Sequence, residues 1–216
     1  MNPTFDLKGE HDAMAFIITA MKRISCDIRN DTPVDLFRFG QIIEFLKIYL
    51  DHCHNQKEEK VLFPALLGLK IPKINDTILK LLEDHIVART YVTVIETGFN
   101  RFLSGQSLSM QSLPKSIDNF CSLVRDHLYV EEKTIFPLVE KSLDAKQQEN
   151  IAGGFAYIQD HEVGHEKCEE YYILLSRLYS ETKYTTIHDR SGRTGKKSPG
   201  KENPSGQPQH TLYVSG

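Results

Sequence analysis

The sequence lacks the features that mark secreted and membrane-spanning chains. Its four cysteines, Cys26, Cys53, Cys121 and Cys168, form no C-x-x-C pair, so reduced thiols are expected rather than a disulfide framework. No apolar run approaches the ~18–20 residues that a membrane span needs. Residues 1–10 contain no basic leader followed by an apolar run, which is the pattern of a signal peptide. These absences predict a cytoplasmic protein.

Strong charge of either sign is also lacking. The net charge is −3 over 216 residues, which predicts no general attraction to nucleic acid or to a membrane surface. The distribution is uneven, because residues 183–216 contain six basic and two acidic residues and are rich in Gly, Ser, Pro and Gln. This composition predicts a disordered basic tail over 183–216. Residues 1–182 are expected to fold.

No segment shows the strict alternation of a half-buried strand, whereas apolar residues recur at helical spacing in five stretches. The five predicted helices run from about Glu10 to Asn30, from Pro33 or Val34 to Pro64–Gly68, from after Pro72 to Ser104–Gly105, from Leu113 through Leu138, and from about Ala145 to Tyr179. Long helices with short connections predict an all-α fold, an up-and-down four-helix bundle with an additional C-terminal helix.

Two stretches of the sequence repeat each other closely. Residues 54–64 and 127–137 both read H-x-x-x-E-E-K-x-[LI]-F-P, and each copy is preceded by a lone histidine, His11 or His85. The two lone histidines are 74 residues apart and the two motif histidines are 73 apart. The bundle is therefore predicted to consist of two copies of one helix hairpin.

The spacing within the repeat favours metal binding. Residues i and i+4 of a helix lie on the same side, so His54 with Glu58, and His127 with Glu131, each direct a nitrogen and a carboxylate toward one point. The repeat histidines also fall on the apolar stripes of their helices. One such histidine or one H-x-x-x-E pair is explained without a metal, but the doubled pattern is not. Burying the whole set costs several kcal/mol unless cations compensate it.

These motifs resemble those of the hemerythrin-like, or HHE cation-binding, family. The doubled H-x-x-x-E-E motif carries the resemblance, which extends over residues 10–179. It implies a non-haem di-iron centre, with two iron ions joined by an oxo or hydroxo bridge, in a four-helix bundle. The ligands that it implies are His11, His54, Glu58, His85, His127 and Glu131, with Glu58 and Glu131 bridging the two metals.

The sequence departs from the oxygen-carrying hemerythrins at two points. Those carriers have a second histidine four residues from the first on the third helix, where Leu81 and Arg89 stand here. Their fourth-helix histidine is followed by aspartate five residues later, whereas Glu131 follows His127 at four. The set looks more like that of bacterial hemerythrin-like proteins linked to nitric oxide, peroxide or the repair of damaged iron centres.

The expected function is that of a di-iron protein that binds, senses or reacts with a small ligand, namely oxygen, nitric oxide or peroxide. The alternatives are iron storage or delivery for the repair of iron centres, and a metal-stabilised interaction module without turnover. Weak peroxidase-like or oxidase-like activity stays open. Histidine and carboxylate ligands suit iron, manganese and zinc, so the residues alone leave the native metal open.

Several further residues are candidates near the site. His165, in the middle of the apolar stripe of the predicted fifth helix, is either a seventh ligand or a cap of the site, and His161 is expected to be a hydrogen-bonded polar residue. Acidic side chains beside metal ligands commonly orient them by hydrogen bonding. The candidates for such support are Glu10 and Asp84, and also Glu59 and Glu132 unless these two are solvated.

Overall fold

The computed structural model describes residues 3–106, 108–164, 166–167, 170–171, 173–178 and 180. These residues belong to a unit that spans Met1–Ser180, and a second unit spans Glu181–Gly216. Over the described part of the chain the regular secondary structure is helical and contains no strand. The predicted all-α class is therefore confirmed. The predicted tail lies outside the described residues and stays a prediction.

Six helices cover most of the described residues. Their bounds are α1 (Pro3–Arg29), α2 (36–67), α3 (Ile74–Leu103), α4 (Leu108–Gln111), α5 (113–142) and α6 (145–163). The four long helices α1, α2, α3 and α5 correspond to the first four predicted ones. The prediction of one unbroken fifth helix is wrong, because α6 ends at Gly164, whose φ of +80° is open to glycine but strained for other residues.

Helices α2 and α5 each change helix type along their length. In α2, π-helical segments at Leu46–Asn55 and Glu58–Leu62 lie between the α-helical ends Leu36–Phe45 and Phe63–Leu67. In α5, the π-helical segment Glu131–Ile135 joins Leu113–Val130 to Phe136–Ser142. In both helices a π-helical turn therefore begins at the first glutamate of the repeat.

A proline follows each π-helical turn that begins at a repeat glutamate. Pro64 has no backbone N–H, so it cannot donate to the carbonyl of Lys60, four residues earlier. Just before it, the Phe63 N–H bonds to Glu58 O, a step of five residues. Helix α5 has the same arrangement ahead of Pro137, over Glu131–Ile135. Such turns are frequent at functional sites, since they shift side chains relative to an α-helix.

Helix α5 runs antiparallel to α1. Thr4 Oγ1 donates to Glu140 Oε1 (2.9 Å) at one end of the pair. Ser25 Oγ donates to Asp118 Oδ1 (2.8 Å) at the other. The start of α1 therefore lies beside the end of α5, and its end lies beside the start of α5.

Helix α3 runs antiparallel to both α5 and α2. Against α5, His85 faces His127, whereas Gly98, further along α3, lies against Leu113 at the start of α5. Against α2, Lys47 Nζ donates to Glu96 Oε1 (2.6 Å) and Asp51 Oδ1 accepts from Arg89 Nε (2.5 Å). Three neighbouring pairs of long helices are thus antiparallel.

A polar layer divides the buried interior into two apolar clusters. One cluster includes Met14, Leu50, Ala88 and Val124, and the other includes Leu7, Leu62, Leu81 and Ile135. Each long helix contributes to both clusters and passes through the polar layer between them. The polar layer is therefore shielded from water along the helices by packed side chains.

Among the described residues, no helix combines the length and the apolar character required to cross a membrane.

The approach of α3 to α5 gives a test of this packing. A Cβ at Gly98 would lie 2.4 Å from Cδ2 of the buried Leu113 side chain, whereas a Cβ at Gly153 would meet nothing within 4 Å. Gly98→Ala is expected to lower the free energy of unfolding, because overpacking costs about 1–3 kcal/mol. Gly153→Ala, the control, is expected to raise it by about 0.5–1 kcal/mol through helix propensity. Urea unfolding of the metal-free protein measures both; equal effects would contradict the close α3–α5 approach.

Candidate metal centre

The polar layer is formed by six buried side chains, at least one from each of the four long helices. Helix α1 supplies His11, α2 supplies His54 and Glu58, α3 supplies His85, and α5 supplies His127 and Glu131. All are buried, and the two glutamates have no exposed surface. Of the seven ligands predicted from the sequence, the structure brings these six together. The seventh, His165, lies outside the described residues.

The six side chains form two overlapping groups, each of which could hold a metal ion. The first, the His11 group, consists of His11, His54, Glu58 and Glu131. The second, the His85 group, consists of His85, His127, Glu58 and Glu131. Within each group, one ligand atom per residue lies within 4.8 Å of the others. Both groups contain the same two carboxylates.

Glu58 directs one oxygen toward each group. Its Oε1 lies 3.8 Å from His54 Nε2, and its Oε2 lies 3.4 Å from His85 Nε2. Two ligand atoms each about 2.1 Å from one metal ion are about 3.0 Å apart at a right angle and about 3.4 Å apart at a tetrahedral angle. The separation from His85 matches these values, and that from His54 is slightly longer.

Glu131 repeats this arrangement with the groups exchanged. Its Oε1 lies 3.1 Å from His127 Nε2, and its Oε2 lies 3.3 Å from His11 Nε2. Each glutamate therefore faces the histidine of its own helix with one oxygen and the lone histidine of another helix with the other. In addition, the Nε2 atoms of His85 and His127 are 3.1 Å apart. These contacts are those expected for carboxylates placed between two cations.

Six of the eight donor atoms that face the centre are unsatisfied by the described part of the protein. Both carboxylate oxygens of Glu58 and of Glu131 are buried without a hydrogen-bond partner among the described residues, as are Nε2 of His11 and Nε2 of His54. Leaving a buried polar group unpaired costs about 1–3 kcal/mol, and more when it is charged. Such groups in one small volume fit a metal site, because bound cations would satisfy all of them.

Each of the four histidines contacts a carboxylate on the side away from the centre. Hydrogen bonds run from His54 Nδ1 to Glu10 Oε2 (2.7 Å), from His85 Nδ1 to Glu59 Oε1 (2.8 Å) and from His11 Nδ1 to Glu132 Oε1 (3.2 Å). Asp84 Oδ2 lies 3.7 Å from His127 Nδ1, within ion-pair range. An ionised carboxylate only accepts, so each bonded imidazole carries a proton on Nδ1, and Nε2 is the nitrogen that can bind a metal at the centre.

Comparison with known proteins agrees with this geometry. A family model described as hemerythrin HHE cation binding domain matches residues 2–139. The chain belongs to the hemerythrin family. The match includes all six clustered residues of the hemerythrin centre and ends within α5, before α6 and His165. Searches of curated proteins and of solved structures gave no match.

The histidines and glutamates of this hemerythrin domain shift one another's pKa values. Burial opposes charge on His127, but the Glu131 carboxylate overcomes it and raises the pKa of His127 to about 10. Burial likewise opposes ionisation of Glu131, yet His127 and His11 hold its pKa well below the usual range. The pKa of His85 is raised against burial by Glu58 and Glu59. The Glu131 carboxylate thus remains ionised and favours positive charge beside it.

The supporting carboxylates only partly follow the sequence-based prediction. Glu10 and Asp84 were expected to support ligands because each precedes a lone histidine, but each contacts a motif histidine of a neighbouring helix, His54 or His127. Helices pack side by side, so the nearest acid is on another chain segment. Glu59 and Glu132, which were expected to be solvated or supporting, contact the lone histidines.

Sequence reasoning missed the cations that hold the supporting carboxylates. Lys57 donates to Glu10 Oε1 (2.5 Å), Arg89 Nη2 to Glu59 Oε1 (2.7 Å), and Lys80 pairs with Asp84 Oδ1 (2.9 Å). The sequence contained two signals for these cations. Lys80 lies four residues before Asp84, and Arg89 lies four residues after His85.

His161 is exposed, and its Nδ1 donates to Tyr157 O (2.8 Å).

A divalent ion should stabilise this fold, because it satisfies buried donors that exist only in the folded state. An ion at 100 times its Kd raises the free energy of unfolding by about 2.7 kcal/mol. Glu131→Gln keeps the side-chain shape but removes one charge, and should lose most of this gain. His52→Ala changes an exposed histidine two residues from His54 and should keep it. Anoxic thermal unfolding with and without ferrous ion measures the effect; equal stabilisation of both variants would contradict the site.

Proposed function

We propose that this hemerythrin domain holds two iron ions within an up-and-down four-helix bundle and binds, senses or reacts with oxygen, nitric oxide or peroxide. The observation that carries the proposal is the pair of overlapping four-residue groups with two carboxylates in common. A single-metal site would need only one group. Carboxylate–histidine sets that project inward from the helices of a bundle are typical of di-iron and di-manganese proteins.

Each residue has a definite part in this proposal. His11 and His54 would hold one iron ion, and His85 and His127 would hold the other. Glu58 and Glu131 would be shared by the two ions, which is consistent with the way each directs one oxygen toward each group. His165 as a seventh ligand remains a prediction.

Charge and coordination favour a small reactive ligand. Two carboxylates and four neutral histidines contribute a charge of about −2, so two ferrous ions leave a positive centre that attracts anionic or reducible molecules. Non-haem iron with an open coordination position supplies the redox chemistry toward oxygen, peroxide or nitric oxide. The protein's part is to exclude bulk water with its two apolar clusters and to hold the imidazoles with Nε2 facing inward.

A small cavity beside the His85 group supports access by a small ligand. Its volume is about 10 Å³, and its walls include His85, His127 and the apolar side chains of Leu50, Ala88 and Val124. A cavity of about 10–15 Å³ has room for one water-sized molecule. The small volume and mostly apolar walls suit a diatomic molecule or peroxide better than a larger substrate.

The first test is iron content together with absorption, on protein loaded with ferrous ion without oxygen and then exposed to each ligand. We expect two irons per chain and new visible absorption on exposure. One iron or none, with a flat spectrum, would contradict the proposal. A metal that exchanges readily to an acceptor without reacting would favour iron delivery, and a redox-silent metal would favour a stabilising module.

Removing one histidine from either group should remove one iron. His11→Ala and His85→Ala are each expected to lower the iron content from about two to about one per chain, because each disables one group while the other keeps its two histidines. His161→Ala, at an exposed histidine, is expected to retain both. Elemental analysis after desalting measures the ratio; loss of no iron from either variant would refute the assignment of ligands.

Filling the small cavity should slow the association of the ligand with the centre without removing the metal. Ala88→Val adds bulk beside His85, so we expect slower nitric oxide association, at least several-fold, with unchanged iron content. Ala156→Val makes the same change at an exposed position of α6 and should leave the rate unaltered. Stopped-flow absorption measures the association rate. An unchanged rate in Ala88→Val would show that the ligand reaches the centre by another route.

A further inference from the structure

Lys57 is a charged side chain in the interior of the bundle. It is only 1% exposed. Its Nζ donates to Glu10 Oε1 (2.5 Å) and to Gln159 Oε1 of α6 (3.0 Å), and it lies 5.9 Å from the centre of the Phe155 ring. Burying an ammonium group is costly unless it is paired and hydrogen-bonded. Here Glu10 and Gln159 supply hydrogen-bond acceptors, and the Phe155 ring lies beside the ammonium group.

Through Glu10, Lys57 is connected to the candidate metal centre. The two oxygens of Glu10 are divided between partners: Oε1 accepts from Lys57, and Oε2 accepts from His54 Nδ1 (2.7 Å). His54 in turn faces Glu58 with its Nε2. Lys57 and His54 therefore hold the Glu10 carboxylate between them.

This buried connection is found in one copy of the repeat only. Lys57 lies three residues after His54, and the matching position three residues after His127 is Val130. The supporting acid of His127 is Asp84, which pairs with the largely exposed Lys80. Exposed ion pairs contribute little rigidity, because solvent screens them and the side chains remain mobile. The two repeat copies therefore support their motif histidines differently.

The carboxylates that contact the two lone histidines are also more exposed than Glu10. Glu59, which supports His85, pairs with Arg89 at the partly exposed face between α2 and α3. Glu132, which supports His11, has 42% of its side chain exposed, against 7% for Glu10. Of the four supporting carboxylates, Glu10 is thus the most deeply buried and has a buried cation of its own.

We propose that Lys57 is a positioning residue that makes the two metal positions unequal. It fixes Glu10 and Glu10 fixes His54, so that through His54 the metal of the His11 group is held more tightly than that of the His85 group, although His11 itself contacts the more exposed Glu132. Gln159 extends this support to α6, which lies beyond the part of the chain that matches the family. This inference rests on the proposed two-iron centre.

The test compares Lys57→Met with Lys60→Met. Methionine fills a similar volume without the charge. Lys60 makes a matched control, because it also lies on α2 and contacts α6, through Glu162 Oε1 (3.6 Å), but is exposed. Each protein is loaded with ferrous ion without oxygen, and the release of iron to an excess of chelator is followed in time. Mössbauer spectra of the same samples give a signal for each iron environment.

The wild-type chain should release its two irons in two phases and show two Mössbauer doublets of similar area. Loss of a group that orients a metal ligand typically costs about 10–100-fold in metal affinity. In Lys57→Met, we therefore expect the slow phase to accelerate about tenfold or more and one doublet to shift, while the fast phase and the other doublet remain. Lys60→Met should match the wild type.

A double variant guards against a simple folding defect. Glu10→Gln with Lys57→Met removes both charges of the buried pair, so it leaves no uncompensated ion in the core. If Lys57 acts through Glu10, the double variant should release iron no faster than Glu10→Gln alone. Additive effects of the two changes would overturn the inference, and so would equal acceleration of both phases, or of neither, in Lys57→Met.

Failure of the two-iron proposal would look different. A wild-type chain that binds fewer than two irons would refute the centre itself, and the inference with it, before any variant is compared. A wild-type chain with two irons but a single release phase and one doublet would leave the proposed function standing and overturn the inference alone.

Discussion

Two carboxylates in the middle of an apolar bundle are the constraint on which the rest of this structure depends. Glu58 and Glu131 are fully buried, and their oxygens have no hydrogen-bond partner among the described residues. An ionised group in such a place is tolerated only with positive charge beside it. The four histidines that surround the carboxylates, and the cations that those histidines can bind, follow from this requirement.

The surrounding structure serves that polar layer on two levels. Along the helices, the two apolar clusters enclose it and exclude water, which strengthens every electrostatic interaction inside. Across the helices, Glu10, Glu59, Glu132 and Asp84 face the outer nitrogens of the histidines and orient them. The π-helical turns that begin at Glu58 and Glu131 also belong to the layer, and each precedes the proline that ends its copy of the repeat. Local backbone chemistry and site geometry are therefore linked through the same short motif.

The two hairpins are nearly symmetric in their candidate ligands but differ in the residues that support those ligands. The repeat gives each glutamate an equivalent pair of histidine contacts, so the glutamate–histidine contacts are similar in the two groups of four residues. The differences lie in what supports the histidines: a buried lysine and Glu10 behind His54, and more exposed carboxylates behind the other three. A duplicated sequence can in this way produce two groups of candidate ligands that are alike in residue type and unlike in the residues that support them.

The sequence by itself determined the helical class, the four long helices and the six residues that cluster, because period and spacing along a helix decide which side chains share a face. Local sequence motifs also identify the cation-binding family. Only the tertiary structure decided which acid supports which histidine, that Lys57 is buried against Glu10, and that the fifth helix breaks at Gly164. These features depend on the distance between separate helices and on how far each helix continues, and neither quantity is encoded in the spacing of residues within one helix.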